Sequence, residues 1–271
     1  MTPVFPFFRA HSPGFRLILL AWMMLAPLSA SALDKAVLQL KWEHEFQFAG
    51  YYAALWQGYY RDAGIEVDIQ PAFDDAGQYR SPQRRLLRSE VDFAIGGADI
   101  LSGRDAGHPL VVLAPVFQKS PGALVTLGGQ KLRSLRDLAG MRIAVNRDDY
   151  ISDEFRSLLG TRLTRHAAPV LVDEPLTLQT LLDGRADALL TYGVSARQSA
   201  RQEGLDIQLL HISDAEQLFY GDTLYTHQRV IDRNPELVQR FTQASLKGWR
   251  YAMAHREEMA AAISSLPRYA V

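Results

Sequence analysis

Hydrophobic and polar positions alternate along the first half of the chain in short segments that predict strands and helices in turn. Val37–Lys41 and Ile65–Ile69 have strand patterns, and the helix predicted between them at Ala49–Ala63 is closed by Gly64. Further helix and strand pairs lead to Leu110–Val116, whose unbroken apolar run indicates a strand buried on both faces. Strands and helices that alternate at these lengths predict βαβ units in a mostly parallel sheet.

A second series of strands and helices begins after the glycine pair Gly128–Gly129. Its predicted strands are Arg142–Val145, Pro169–Val172, Ala188–Thr191 and Ile207–Leu210, and its predicted helices are Leu135–Ala139, Ile151–Leu159, Leu176–Leu182 and Val194–Glu203. Beyond them, Thr223–Thr226 has a strand pattern, and Pro235 begins a long helix that ends near Ala254. Two α/β series separated by glycines predict two lobes.

The N-terminal segment has the pattern of a secretory signal peptide. Arg9 and Arg16 precede the apolar run Leu17–Leu28, which is too short to span a bilayer as a stable helix and has no polar face. The small residues of Ser29–Ala32 fit an A-x-A cleavage site, so residues 1–32 are predicted to be removed. The lack of a polar face argues against the alternative, an amphipathic or buried N-terminal helix. Removal leaves 239 residues, changes the net charge from −1 to −3, and predicts a periplasmic protein.

Composition narrows the chemistry that the chain can perform. The sequence has 29 Lys and Arg residues against 30 Asp and Glu residues, and it contains no cysteine. The near balance of positive and negative charges argues against nucleic acid as a partner, because nucleic-acid binding requires a concentrated basic surface. The lack of cysteine excludes disulfides, thiolate zinc sites, iron–sulfur clusters and cysteine nucleophiles. Glu43-His44-Glu45 is expected to be a charge cluster and not a metal site, because adjacent residues on an extended loop point in different directions.

Aromatic residues are concentrated near the first predicted strand. Residues 42–60 contain eight aromatic residues, more than a third of the 22 that follow the predicted signal peptide. Those at helical spacing are expected to face the core: Tyr52, Trp56, Tyr59 and Tyr60. Trp42, Phe46 and Phe48 precede the helix, in a loop at the carboxyl end of the first strand, where open parallel sheets bind ligands. For these three residues, ligand contact and ordinary loop packing both stay open.

The segment Leu38–Ile69 resembles a periplasmic solute-binding superfamily that includes binding proteins for thiamine pyrimidine precursors, alkanesulfonate-binding proteins and the fungal thiamine-pyrimidine synthases. It is most similar to the branch found as sensor ectodomains of histidine kinases and diguanylate cyclases. The resemblance continues through Val91–Leu101, Pro109–Val125, Leu135–Val145, Leu181–Tyr192 and Phe219–Trp249. It covers nearly all of the chain after the predicted signal peptide, in the order that the family has.

This resemblance implies an α/β fold of the type II periplasmic binding protein class, with two lobes of mostly parallel sheet and a hinge between them. The first lobe would comprise residues 33–128 and 216–271, and the second lobe residues 129–215. A single domain of 239 residues is the alternative. Such proteins close on a small ligand, and a monomer without a cofactor or a metal is expected.

The resemblance also places a ligand cleft among the loops at the strand ends. An aromatic ring in the first loop could stack on a flat ligand, and Gly97 would let backbone amides approach it. The side chains of Asp99 and Asp153 are expected either at the cleft or as helix N-caps. The candidate ligand-binding residues are Trp42, Phe46, Phe48, Gly97, Asp99, Gln118, Asp153, Tyr192, Tyr220 and Asp222.

The function that follows from the resemblance is capture of a small metabolite for the membrane permease of an ABC-type importer. A thiamine pyrimidine precursor is the first candidate for this metabolite. The alternative is a sensory ectodomain fused to a signalling module, because the resemblance fades after Glu257, where relatives continue. A pyrimidine-synthase enzyme is disfavoured. The fungal enzymes carry a CCCFC run that is absent here, and Phe48 stands where they carry a histidine.

Overall fold

The computed structural model of the protein describes residues 32–130, 132–145, 155, 168–214 and 220–266. The segment expected to be the signal peptide lies outside these ranges, except for Ala32. The helix expected at Ile151–Leu159 also lies outside them, apart from Phe155, and so does the candidate site residue Asp153.

The first of two five-stranded sheets contains strands from both ends of the chain. Its strands are β1 (Asp34–Gln39), β2 (Ile65–Gln70), β3 (Phe93–Gly96), β4 (Leu110–Pro115) and β10 (Thr223–His227). Their order across the sheet is β2-β1-β3-β10-β4. Strand β10 pairs antiparallel with both of its neighbours, and the other four strands share one direction.

The second sheet repeats this arrangement. Its strands are β5 (Gly122–Leu127), β6 (Arg142–Ala144), β7 (Val170–Val172), β8 (Ala188–Tyr192) and β9 (Ile207–His211), in the order β7-β6-β8-β5-β9. Strand β5 pairs antiparallel with β8 and β9, and the remaining strands share one direction. Four of the five strands in each sheet therefore run in parallel, which confirms the predicted α/β class with mostly parallel sheets.

The structure moves the point at which the chain changes sheets. The sequence pattern places the division at Gly128, but Gly122–Leu127 forms the second sheet's antiparallel strand β5, which the pattern did not predict. The chain therefore leaves the first sheet between Pro115 and Gly122, before the expected boundary. It returns between His211 and Thr223.

The helices largely follow the predicted segments. They are α1 (Ala49–Trp56), α2 (Tyr59–Asp62), α3 (Pro82–Leu87), α4 (Asp99–Asp105), α5 (Leu178–Leu182), α6 (Gly193–Glu203), α7 (Gln228–Arg233), α8 (Pro235–Ala254) and α9 (Arg256–Ser264). The single helix expected over Ala49–Ala63 is divided, because Gly58 adopts a left-handed conformation with φ of 74°. No helix in the described ranges has both the length and the hydropathy that a membrane span requires.

Helices cover both faces of the first sheet. On one face, Phe93 of β3 stacks on Phe241 of α8 with ring centroids 3.8 Å apart, and Tyr60 stacks on the same ring. On the other face, residues of α3 and α4 pack around Tyr225 of β10. The helical aromatic stripe is buried at Tyr52 and Tyr60 as expected, whereas Trp56 is 41% exposed. Strand β4 lies at the sheet edge and is not buried on both faces.

The backbones of α1 and α8 approach each other at glycine. A Cβ atom on Gly248 of α8 would lie 2.1 Å from the carbonyl oxygen of Gly50 and 2.7 Å from the backbone nitrogen of Ala54. These contacts involve backbone atoms of α1, so no side-chain rearrangement can relieve them. The close approach fixes α1, and with it the aromatic loop that precedes α1, against the hydrophobic core formed by α1, α8 and one face of the first sheet, which we name the first core.

Gly248→Ala should destabilise the protein by about 1–3 kcal/mol, because the added methyl group overpacks the interface between α1 and α8. The midpoint of urea unfolding measures this change. Arg250→Ala on the exposed face of the same helix is the matched control and should change stability by less than about 0.5 kcal/mol. Equal unfolding midpoints for Gly248→Ala and the wild type would contradict the close packing.

Candidate functional site

The carboxyl ends of the parallel strands bring polar and aromatic residues to one edge of the first sheet. β10 runs in the opposite direction, so its beginning lies at the same edge. The residues gathered there are Lys41 and Trp42 after β1, Phe73 after β2, Gly97 after β3, Gln118 after β4 and Asp222 before β10. Open α/β sheets bind ligands outside the carboxyl ends of their strands, which makes this edge the candidate site.

A buried ion pair lies at the centre of this edge. The Nζ atom of Lys41 is 2.5 Å from Oδ1 of Asp222, and the two side chains are 7% and 2% exposed. Burial raises the pKa of the Asp222 carboxyl group because it destabilises the charged form, and the Lys41 ammonium opposes that rise. The sequence predicted Asp222 as a site residue but missed Lys41. The available signal was a lysine at the end of an apolar strand pattern, directly before the aromatic loop.

Backbone hydrogen bonds attach Asp222 to the connection that leaves the first sheet. The amides of Val116 and Phe117 both donate to the Asp222 carbonyl, and the Gly221 amide donates to the Phe117 carbonyl at 2.9 Å. A Cβ atom on Gly221 would lie 2.9 Å from Cβ of Phe117 and 3.0 Å from the Lys119 carbonyl, so a larger residue would not fit. The two connections between the sheets are therefore joined beside the ion pair.

Three aromatic rings, Trp42, Phe73 and Tyr79, form a continuous surface at the edge, which we name the aromatic wall. Trp42 contacts Phe73 edge-on with centroids 5.2 Å apart, and Phe73 contacts Tyr79 at 5.5 Å. A β-bridge joins Phe73 to Tyr79, and the Asp74 carboxylate accepts hydrogen bonds from the amides of Ala76 and Gln78. Sequence reasoning missed Phe73 and Tyr79, because nothing in the pattern of their loop indicates proximity to Trp42.

A hydrogen bond between two of its own residues stabilises the turn between β3 and α4. The Gly97 amide donates to Oδ1 of Asp99 at 2.6 Å. Asp99 lies in the first turn of α4, and Ala98 occupies the N-cap, so Asp99 is not the N-cap that the sequence suggested as its alternative role. A Cβ atom on Gly96 would lie 2.9 Å from the Tyr225 ring, which makes glycine necessary there. Burial is the main cause that raises the pKa of the Tyr225 hydroxyl group, and the negative charge of nearby Asp99 raises it further.

The second sheet reaches this edge through Tyr192, at the end of β8. Its ring centroid lies 5.7 Å from Nζ of Lys41, so a residue of one sheet contacts a residue of the other. The following residue, Gly193, lies close to His211 at the end of β9, where a Cβ atom would be 2.7 Å from Cε1 of His211. The structure therefore brings together Lys41, Asp222 and Tyr192 at the junction of the two sheets.

The remaining predicted site residues in the described ranges differ from one another in how far they are exposed. Phe48 is completely buried in the first core, which corrects its candidacy as a ligand contact and favours loop packing. Phe46 is 36% exposed, and Tyr220 is 56% exposed. Gln118 is exposed and donates its Nε2 to the carbonyl of Pro115 at 2.7 Å. A role in binding stays a prediction for Phe46, Gln118 and Tyr220.

The charge cluster Glu43-His44-Glu45 is partly buried. Glu43 is buried, and Nδ1 of His44 shares a hydrogen bond with the Tyr52 hydroxyl. Burial also lowers the pKa of His44. Within the described ranges, no three His, Cys, Asp or Glu side chains group as metal ligands would.

The sequence matches known proteins over most of its length. A family model described as NMT1/THI5 like matches residues 45–259. The riboflavin-binding protein RibY of Chloroflexus aurantiacus is 27% identical over 238 residues, which cover 86% of this chain and 66% of RibY. A formylaminopyrimidine-binding protein of Halalkalibacterium halodurans is 22% identical over 251 residues, which cover 89% of this chain and 75% of that protein.

Solved structures share the fold. The periplasmic aliphatic sulphonate binding protein SsuA of Escherichia coli has a TM-score of 0.64 at 15% identity, covering 87% of this chain and 80% of SsuA. The alkanesulfonate-binding protein SsuA of Xanthomonas axonopodis, bound to MOPS, has a TM-score of 0.64 at 16% identity, covering 88% of this chain and 82% of that protein. These likenesses confirm the predicted type II periplasmic binding protein fold with its two lobes.

The stability of the protein should fall as the pH decreases below about 6.5, partly through His44. Because burial lowers the pKa of His44 from 6.5, the unfolded chain takes up a proton at this side chain more readily than the native protein does. His44→Gln should therefore reduce the loss of Tm between about pH 7 and about pH 5. Part of the loss will remain, because burial lowers the pKa of His227 as well.

His255→Gln is the matched control, since His255 is exposed at the end of α8. It should leave the dependence of Tm on pH as it is in the wild type. The same dependence in His44→Gln and the wild type would show that His44 makes no contribution to acid sensitivity.

Proposed function

The chain belongs to the NMT1/THI5-like family, and on that premise we propose that it captures a small planar nitrogen heterocycle outside the cytoplasm. The relatives and structural neighbours described above are named as binding proteins. A solute-binding role agrees with the two-sheet fold and with the position of the polar and aromatic residues at one edge.

The observation that carries this proposal is the combination of the aromatic wall with the buried ion pair. Trp42 and Phe73 offer apolar ring surfaces, on which a planar ligand can stack. Lys41 and Asp222 supply a hydrogen-bond donor and an acceptor at the same edge. Sites for small ligands commonly combine largely apolar walls with a few well-placed polar groups.

A pyrimidine-type ring is the ligand chemistry that both sequence relatives support. Riboflavin contains such a ring within its tricyclic system, and formylaminopyrimidine is itself a substituted pyrimidine. A thiamine pyrimidine precursor is our first candidate, consistent with the formylaminopyrimidine-binding relative. Riboflavin is the second candidate, favoured by the 27% identity to RibY.

The proposed mechanism is capture without chemical change of the ligand. The ligand would occupy the space between the edges of the two sheets, with Tyr192 approaching from the second sheet. Movement about the joined connections beside Asp222 would bring these edges together around the ligand and exclude water. The closed form would then deliver the ligand to the membrane permease of an ABC-type importer in the periplasmic space.

Formylaminopyrimidine or riboflavin should stabilise the purified protein against thermal unfolding. A ligand present at a hundred times its Kd adds about 2.7 kcal/mol to the free energy of unfolding. For a chain of this size the expected increase in Tm is roughly 5–10 °C. An alkanesulfonate such as MOPS is the control and should produce no increase. No response to either heterocycle, together with stabilisation by MOPS, would contradict the proposed ligand class.

Trp42→Ala should weaken binding of the heterocycle by about tenfold, because it removes a stacking surface of the aromatic wall. Isothermal titration calorimetry or quenching of riboflavin fluorescence measures the affinity. Trp56→Ala is the matched control, since Trp56 is exposed near the end of α1 and lies outside the aromatic wall. Equal affinities of Trp42→Ala and Trp56→Ala would remove Trp42 from the site.

A further inference from the structure

The Asp222 carboxylate has unused capacity to accept hydrogen bonds. Its side chain is 2% exposed, and Lys41 is its only hydrogen-bonding or ionic partner among the residues that the structure describes. A carboxylate has about four acceptor positions, so most of those on Asp222 lack a donor from the described residues. Leaving a buried acceptor unsatisfied is costly, so a ligand that supplies a donor at this edge would gain from these positions.

The position of the ion pair points to the space between the two sheets. Lys41 follows β1 and Asp222 precedes β10, and these strands lie on either side of β3, so the two side chains meet near the carboxyl end of β3. The Asp222 backbone is held by the amides of Val116 and Phe117. On the opposite side, Lys41 faces the ring of Tyr192 from the second sheet.

We propose that Lys41 and Asp222 act together as a recognition edge for one side of a pyrimidine-type ring, which rests on the proposed function. Asp222 accepts a hydrogen bond from a ring N–H group or an exocyclic amine of the ligand. Lys41 donates a hydrogen bond to the adjacent carbonyl oxygen or unprotonated ring nitrogen. The close approach of the two side chains, with Nζ and Oδ1 2.5 Å apart, suits donor and acceptor atoms that are neighbours on one ring edge.

Both candidate ligands present such an edge. In riboflavin, the N–H group of the pyrimidinedione ring is flanked by two carbonyl groups. In formylaminopyrimidine, the exocyclic amine is adjacent to a ring nitrogen that accepts hydrogen bonds. One recognition edge can therefore serve either molecule, although they differ greatly in size.

The same pair disfavours an anionic group at this position. A sulfonate or carboxylate that approached Lys41 would also approach the Asp222 carboxylate, and the two negative charges would repel each other in a medium of low polarity. The structure thus assigns neutral ligands with an N–H donor to this edge. This distinguishes the chain from a binding protein for alkanesulfonates, although the fold is shared with the SsuA proteins.

The test compares each heterocycle with an analogue that lacks the N–H donor. The pairs are riboflavin with 3-methylriboflavin, and formylaminopyrimidine with the analogue that lacks the exocyclic amine. Wild-type protein should bind the analogue of its ligand about tenfold to a hundredfold more weakly, the range of one hydrogen bond to a charged group. This measurement needs no variant, so it stands even if substitution of Asp222 impairs folding.

Asp222→Asn provides the protein side of the test. The variant should bind the parent heterocycle about tenfold more weakly than the wild type does, and it should distinguish parent from analogue less than the wild type does, because the neutral amide oxygen accepts a weaker hydrogen bond than a carboxylate. Asp187→Asn is the matched control. Asp187 forms an ion pair with Arg142 at the opposite edge of the second sheet, so this variant should retain the affinity and the discrimination of the wild type.

The outcomes separate the two proposals. Tight binding of a parent heterocycle with equal binding of its analogue would overturn the recognition edge and leave the proposed function standing. A folded Asp222→Asn variant that distinguishes parent from analogue as strongly as the wild type does would also overturn the recognition edge and leave the proposed function standing. If the wild-type protein bound neither parent heterocycle, both proposals would be overturned.

Discussion

The Asp222 carboxylate lies beside the Lys41 ammonium with both side chains almost fully removed from water. Burial makes each of these charges costly, and their attraction offsets part of that cost, so the pair holds the beginning of β10 near the end of β1. The amides of Val116 and Phe117 attach the end of β4 to the same residue. The ion pair and these backbone hydrogen bonds together hold the ends of three strands of the first sheet at the edge where the chain crosses to the second sheet.

The first core supports this edge from behind. Trp249 of α8 contacts Tyr51 of α1 with ring centroids 5.7 Å apart and Phe117 of the crossing connection at 6.2 Å. Since α1 and α8 meet at glycines, their backbones lie closer together than a Cβ atom at Gly248 would allow. The aromatic residues of the first loop and helix thus have two roles. Tyr51, Tyr52 and Tyr60 are buried supports, whereas Trp42 remains at the edge with Phe73 and Tyr79.

Errors in the predicted elements have local physical causes. The helix expected over Ala49–Ala63 divides at Gly58, where a left-handed residue interrupts the backbone hydrogen bonds although the apolar spacing continues. The strand β5 ends directly before the glycine pair Gly128–Gly129, which in the sequence pattern indicates a boundary between lobes. The apolar run of β4 indicates burial, but β4 is an edge strand on which Val112 is 52% exposed. Periodicity reports the backbone conformation, whereas partners in a sheet are fixed by the assembled fold.

The sequence by itself determined the alternation of strands and helices, the α/β class, the resemblance to periplasmic binding proteins and the loop that carries Trp42. These features depend on residues that are close in the chain, and the spacing of apolar side chains records them. Only the tertiary structure decided that Lys41 pairs with Asp222, that Phe73 and Tyr79 extend the surface of Trp42, and that Phe48 is buried. These contacts join residues of different segments, and strand order brings them together in space.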